Sequence, residues 1–165
     1  MIVYSSVTGN TQIIANAIKD ALDENHCVYY GKPDGIFSHD AEVIFVGFWV
    51  FKGSCTEEIK EYLATLENKK IFLFGTAGFG ESETYFETIL TEVKQYIAES
   101  NAIIGSFMCQ GKMPHNVLKR YQKLLDEQTA DSHILNMINN FEKALSHPNL
   151  QDIEAFKAAV ASALN

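Results

Sequence analysis

Apolar and polar positions alternate in blocks along this 165-residue chain. Short unbroken apolar runs separate longer stretches in which apolar residues recur every three or four positions. Ile2–Tyr4, Glu42–Phe48 (EVIFVGF), Lys70–Gly75 (KIFLFG) and Ala102–Met108 are runs of the first kind. Unbroken hydrophobicity suits strands covered on both faces. His26–Tyr30 is a weaker fifth strand, ended by the turn cluster Gly31–Gly35. Helical periodicity fills the intervals. Ile13, Ile14, Ala17, Ile18, Ala21 and Leu22 mark a helix from Asn10 to Glu24. Ile59, Tyr62, Leu63 and Leu66 follow the N-cap candidate Thr56, and Phe86, Ile89, Leu90, Val93 and Ile97 follow Ser82. Beyond the last strand the chain reads as helical. One stripe runs over Val117–Leu125, and a second comprises Ile134, Leu135, Ile138, Phe141 and Leu145. A third, after Pro148, comprises Ile153, Phe156, Val160 and Leu164.

Strands alternating with helices predict an α/β fold, a parallel sheet with helices on both faces. No repeat, low-complexity tract or linker divides the chain. The expectation is a single domain over 1–165, with the sheet and site in 1–110 and C-terminal helices in 111–165. In such folds ligands bind beyond the carboxyl ends of the strands. The loops that fall there are Ser5–Thr11, Phe48–Cys55, Thr76–Glu81 and Cys109–His115.

The first of these loops has the composition of an anion cradle. Ser6, Val7, Thr8, Gly9, Asn10 and Thr11 supply hydroxyls, an amide and backbone N–H groups at the start of a helix, whose dipole adds a positive end. An ordinary helix N-cap is the competing explanation. No lysine lies between Ile2 and Gln12, and the pattern GxxxxGK[ST] is absent from the chain. A triphosphate would therefore leave much charge unneutralised. The dinucleotide fingerprint GxGxxG is absent too, since Gly75, Gly78 and Gly80 have the spacing GxxGxG. What remains is a single phosphomonoester held by hydrogen bonds. The second loop supplies a flat surface. Phe48, Trp49 and Phe51 stand at a strand end, with Val50, Lys52 and Gly53 among them, and exposed aromatics there suit stacking on an aromatic ring. Thr76, Ala77, Gly78, Phe79 and Gly80 form the third, with Phe79 placed to cover another edge or face of that ring.

Ser6–Thr11 resembles the flavodoxin phosphate signature [ST]-x-T-G-x-T, in the family's position between first strand and first helix. Phe48-Trp49 resembles the loop whose aromatic stacks on the flavin, and Thr76–Gly80 the loop that touches its pyrimidine side. The resemblance implies a three-layer flavodoxin-like fold with a five-stranded sheet in the family's order 2-1-3-4-5. It also implies flavin mononucleotide (FMN) as cofactor, held by the residues of those three loops. Within the family, GFWVFKGSC, FGTAGFGES and FMCQGKMP resemble a small bacterial branch that includes the BilS-type flavodoxins associated with bilirubin reductases. The chain departs from the family in two places. Many members put Gly directly after the loop tryptophan, where a peptide flip lets a carbonyl meet the reduced ring. Val50 stands there, and a β-branched residue resists positive φ. Thr76, Ala77 and Phe79 replace the acidic and tyrosyl residues many members carry. The expectations are weaker or differently achieved stabilisation of the neutral one-electron reduced flavin and a higher potential for the fully reduced one.

Composition narrows the partners. The net charge of −8 on an acidic chain with no basic patch argues against nucleic acid and anionic membranes. No apolar run approaches a membrane helix in length, and no secretory signal is visible. Three cysteines without CxxC spacing suit free thiols and a cytoplasmic location. Five scattered histidines give no metal-ligand spacing. Glu57, Glu58, Glu61, Glu81 and Glu83 are expected near the ring, where they would dock a basic redox partner. The leading expectation is an electron carrier between a reductase and an acceptor enzyme, which needs no catalytic side chain. An FMN-dependent oxidoreductase of quinones or related acceptors is the alternative, kept open by Lys112 and His115. A flavin-free interaction module is a third. Cys55 and Cys109 are expected to be fillers that flank the site rather than redox thiols.

Overall fold

Five parallel strands form one sheet in the order β2-β1-β3-β4-β5. They are β1 (Ile2–Tyr4), β2 (Tyr30–Gly31), β3 (Val43–Trp49), β4 (Lys70–Ala77) and β5 (Ala102–Gln110). The computed structural model describes residues 1–22, 26–33, 41–80, 82–127 and 131–165. Among the described residues six helices accompany the sheet: α1 (Asn10–Ala21), α2 (Glu57–Ala64), α3 (Glu83–Lys94), α4 (His115–Glu127), α5 (Ser132–Ala144) and α6 (Leu150–Leu164). The expected topology is the observed one.

Strand alternation sorts the core into two layers. Ile44, Val46 and Phe48 of β3, with Ile71, Leu73 and Ala77 of β4, face α2 and α3 and pack with Ile59, Leu63, Ile89 and Val93. Phe45, Phe72 and Phe74 face the other way, onto Ile14 and Ile18 of α1 and Phe156 of α6. Three phenylalanines lie opposite glycines in the neighbouring strand: Phe48 against Gly75, Phe74 against Gly47, and Phe72 against Gly105. Each glycine makes room for its ring. A Cβ at Gly47 would stand 2.3 Å from Phe74, at Gly75 2.8 Å from Phe48, and at Gly105 2.7 Å from Phe72. Wide rings thus sit on a sheet that is closely covered on both sides.

Boundaries shift from the sequence expectations in ways the pairing explains. β2 is only Tyr30–Gly31, not His26–Tyr30, because its two residues are all that pair with Ile2 and Val3. Asp34 and Gly35 of the turn cluster, and Glu24 at the expected end of α1, lie outside the described residues. β4 extends through Thr76 and Ala77 because β5 runs on to Cys109 and Gln110 beside them. Two residues assigned to each loop are therefore held in the ladder.

The C-terminal helices divide in role. α6 packs on β5 and α1 and completes the second layer, while α4 and α5 pack chiefly on each other. The stripe expected in α5 is rotated. Ile134, Asn140, Phe141 and Ala144 are the buried positions, whereas Leu135 and Leu145 are exposed. No helix among the described residues is long and apolar enough to cross a membrane.

Candidate functional site

The N-terminus of α1 is left without a side-chain cap. Its N-cap is Gly9, at φ 84°. A left-handed conformation is what glycine adopts without cost. The first intrahelical bond runs from Ile13 N–H to the Gly9 carbonyl at 3.0 Å. The N–H groups of Asn10, Thr11 and Gln12 precede it and have no backbone partner among the described residues. No acidic residue occupies the first turn. The Ser6 hydroxyl is buried without a hydrogen-bond partner, an arrangement that is costly unless a ligand completes it.

Side chains of the signature also fix the loop itself. Thr11 Oγ1 and Thr76 Oγ1 lie 2.9 Å apart in the interior and tie α1 to β4. Asn10 Nδ2 donates to Thr8 Oγ1 and to the Lys112 carbonyl, both at 2.8 Å. The second bond joins the first loop to the segment after β5. Gly111 is pressed against this amide, and a Cβ there would stand 2.6 Å from Asn10 Nδ2.

Beside this helix end lies a cleft of about 320 Å³ at the carboxyl ends of the strands. Of the expected site residues, Val7, Thr8, Asn10, Trp49, Val50, Lys52, Gly53, Thr76, Ala77, Gly78 and Phe79 line it. Ser6, Gly9 and Thr11 belong to the helix end as described, and Gly80 is not in the lining but is packed against Gln110. Phe51 is half-exposed and packs at a tilt against Trp49, with ring centroids 5.4 Å apart and the planes at 59°. Phe48 needs a correction. Its ring is fully buried over Gly75 in the core, so it offers no exposed face for stacking. Its strand position points it away from the cleft while Trp49, the next residue, lines it. Trp49 Nε1 is a second buried donor without a partner.

The segment after Trp49 is a tight turn. Phe51 and Ser54 exchange backbone hydrogen bonds of 2.8 and 3.1 Å, and Lys52 and Gly53 between them have φ 50° and 81°. Two consecutive left-handed residues match a hairpin turn of the primed type. Val50 is not among the residues of positive φ, and its N–H donates to the Thr76 carbonyl at 2.9 Å. The ladder thus fixes the Trp49–Val50 peptide.

Tyr85 lines the cleft and escaped the sequence reading of the site. Gly111, Lys112, Met113 and Pro114 line it too; they belong to the Cys109–His115 loop expected at this end of the sheet, although none was expected to hold the cofactor. Tyr85 sits in the first turn of α3, where Ser82 Oγ accepts its N–H at 3.3 Å, and burial raises its phenol pKa above the ordinary 10.0. Among the described residues the cleft carries two lysines and no carboxylate. Glu57, Glu58, Glu61 and Glu83 are exposed on α2 and α3. Lys60 pairs with Glu57 at 3.4 Å, and Glu58 accepts the Ser5 hydroxyl at 3.4 Å. Glu81 lies outside the described residues. Cys55 and Cys109 are buried in opposite core layers and do not line the cleft. Burial pushes both thiols up, away from the reactive thiolate.

A Flavodoxin domain family model matches residues 1–161. The chain is 38% identical over 160 residues to a flavodoxin-like domain-containing protein BilS of Clostridioides difficile (strain CD3), covering 93% of this chain and 89% of that one. It is 37% identical over 172 residues to a BilS of Clostridium symbiosum (strain WAL-14163), covering 94% and 90%. A solved flavoprotein in complex with FMN from Lactobacillus acidophilus NCFM has the same fold at TM-score 0.50 and 16% identity, over 66% of this chain and 91% of that one.

Proposed function

The chain belongs to the flavodoxin family, and on that premise we propose that it binds FMN and carries electrons from a reductase to an acceptor enzyme. The observation that supports this reading is the joining, in one cleft, of an uncapped helix N-terminus to a tryptophan-lined slot. The α1 N–H groups, Ser6 Oγ and the Thr8 hydroxyl would hold the phosphate. Trp49 and Phe79 would cover the ring. FMN supplies the electron chemistry when bound; the protein supplies binding, ring burial and tuning. Lys52 and Lys112, with no described carboxylate opposite, favour negative charge on the ring. The exposed carboxylates of α2 and α3 offer a basic partner protein a docking edge. Three unpaired thiols fit a reducing cytoplasm.

The visible spectrum of the purified protein, before and after FMN is added, tests the cofactor. A protein that stays colourless and ignores FMN would sink the reading in favour of an interaction module. A second reading, an FMN-dependent oxidoreductase, draws on a groove of about 340 Å³ that continues past Phe79 and Tyr85 to His133, Asn136 and Met137. Kinetics separates the two. A carrier leaves NAD(P)H and quinone unreacted on their own, whereas an oxidoreductase turns them over without another protein.

A further inference from the structure

One buried polar cluster is unexplained by the sheet or by the helices that carry it. Gln110 ends β5 and Asn140 lies in the middle of α5; both are 7% exposed. Gln110 Nε2 donates to the Gly78 carbonyl at 3.0 Å, and Asn140 Nδ2 donates to the same carbonyl at 2.9 Å. Gln110 Nε2 also reaches Asn140 Oδ1 at 3.0 Å, which locks the two amides together. The loop is pressed onto the same groups. A Cβ at Gly80 would stand 2.5 Å from Gln110 Cβ, and one at Gly78 2.7 Å from Met113 Sδ.

This cluster changes the direction of one peptide. In an extended strand, successive residues turn their N–H and C=O to opposite neighbours. Thr76 faces β3, where its carbonyl accepts Val50 N–H at 2.9 Å, and Ala77 faces β5, where its carbonyl accepts Gly111 N–H at 2.8 Å. Continuing the strand would turn the Gly78 carbonyl toward β3, over the cleft. The two amides draw it to the β5 side instead. A trans peptide sets N–H opposite C=O. The N–H of Gly78, opposite the Ala77 carbonyl, and that of Phe79, opposite the Gly78 carbonyl, therefore both point away from the groups that hold those carbonyls. Neither has a backbone partner among the described residues. Two adjacent N–H groups aimed one way favour negative charge in front of them.

We propose that Gln110 and Asn140 are positioning residues that turn the Gly78 carbonyl out of the cleft and present the Gly78 and Phe79 N–H groups together to the cofactor, favouring its reduced, negatively charged form. The proposal rests on the FMN reading above. It gives α5, which contributes nothing to the sheet, a hold on the redox balance of the site.

The test compares Asn140→Leu, Asn140→Asp, Gln110→Met and Asn139→Leu with the wild type. Asn139 is exposed one position away on the same helix. Dissociation constants for oxidised and reduced FMN are measured by titration of each apoprotein, and the midpoint potential of each holoprotein is recorded. Asn140→Asp keeps the shape but sets an oxygen against the Gly78 carbonyl and adds a charge that lowers the potential by itself. Gln110→Met, neutral and removing the other bond to that carbonyl, therefore decides the matter should the leucine variant fail to fold and is expected to weaken reduced FMN in the same way. Loss of one such hydrogen bond corresponds to about fivefold. The expected result is that both Asn140 variants weaken reduced FMN about fivefold more than oxidised FMN, lowering the potential, while Asn139→Leu matches the wild type. Equal weakening of both redox states, or no change in either, would overturn the proposal and leave the carrier reading intact. A wild type that binds no FMN would defeat both.

Discussion

The two ends of the cleft are built in opposite ways. The α1 end is local: Ser6 through Gln12 supply its hydroxyls, its glycine N-cap and its helix N–H groups without backbone partners among the described residues. The ring-sized end is assembled from residues far apart in sequence. Trp49, Phe79, Tyr85, Met113 and, behind them, Asn140 come from five different segments of the chain. A local site stands on backbone conformation, whereas a distributed one stands on packing. The first should fail one ligand group at a time, and the second should fail as a unit.

The largest expected effect breaks the ring end alone. Trp49→Ala removes a cleft-lining aromatic, costing about 2–3 kcal/mol of binding. Flavin fluorescence titration should show FMN and riboflavin weakened by the same factor, since riboflavin lacks only the phosphate. A loss confined to FMN would mean that Trp49 acts on the phosphate through its unpartnered Nε1.

Next is Gly80→Val. Its Cβ would collide with Gln110, 2.5 Å away, and overpacking of this kind costs about 1–3 kcal/mol. Thermal melting and FMN affinity should fall together, because the loop and the ring wall are one packed unit. An unchanged melting temperature would show that the loop moves freely.

Ser6→Ala addresses the other end. It should weaken FMN by about 1 kcal/mol, or roughly fivefold, and leave riboflavin untouched. An equal effect on both would remove Ser6 from the phosphate site.

Alkali should strain the core beneath both ends. Burial raises the Cys55 and Cys109 thiols above their ordinary 9.0, and it raises the Tyr62 phenol to about 12. These acids are favoured protonated in the folded chain. Their contribution is complete below the ordinary pKa and is lost as pH rises toward the folded one. Melting temperature should therefore hold through neutrality and decline above about pH 9. Stability that rises through that range would contradict the assignment.

The smallest effect is expected from Val50→Gly. Restoring the family's glycine does not release the peptide, because Val50 N–H is bonded to the Thr76 carbonyl whatever its side chain. Redox titration should show little gain in the one-electron reduced flavin. A long-lived blue species in the wild type would show instead that the peptide turns despite the ladder.

Sequence reading succeeded where physical constraint is local. Unbroken runs such as Val43–Trp49 became strands because a strand covered on both faces must be apolar throughout. Thr8-Gly9-Asn10-Thr11 became the start of α1, with Gly9 as its N-cap, because turn chemistry and helical period meet in one continuous segment. It failed where a neighbour decides. Phe48 looked like an exposed aromatic and is a core ring, because Gly75 lies opposite it in the next strand. The stripe drawn through Leu135 and Leu145 missed Asn140, because a buried amide leaves no apolar signal.

By itself, then, the sequence determined the order of elements, the parallel sheet and the turn that opens α1, each set by periodicity, turn chemistry or a continuous segment. Only the tertiary structure decided which aromatic faces the cleft, which thiols are sealed in the core, and which amides hold the Gly78 carbonyl. Those outcomes depend on partners as far apart as Gly78 and Asn140. Contacts at that separation come from how the layers pack, which no single stretch of the chain encodes.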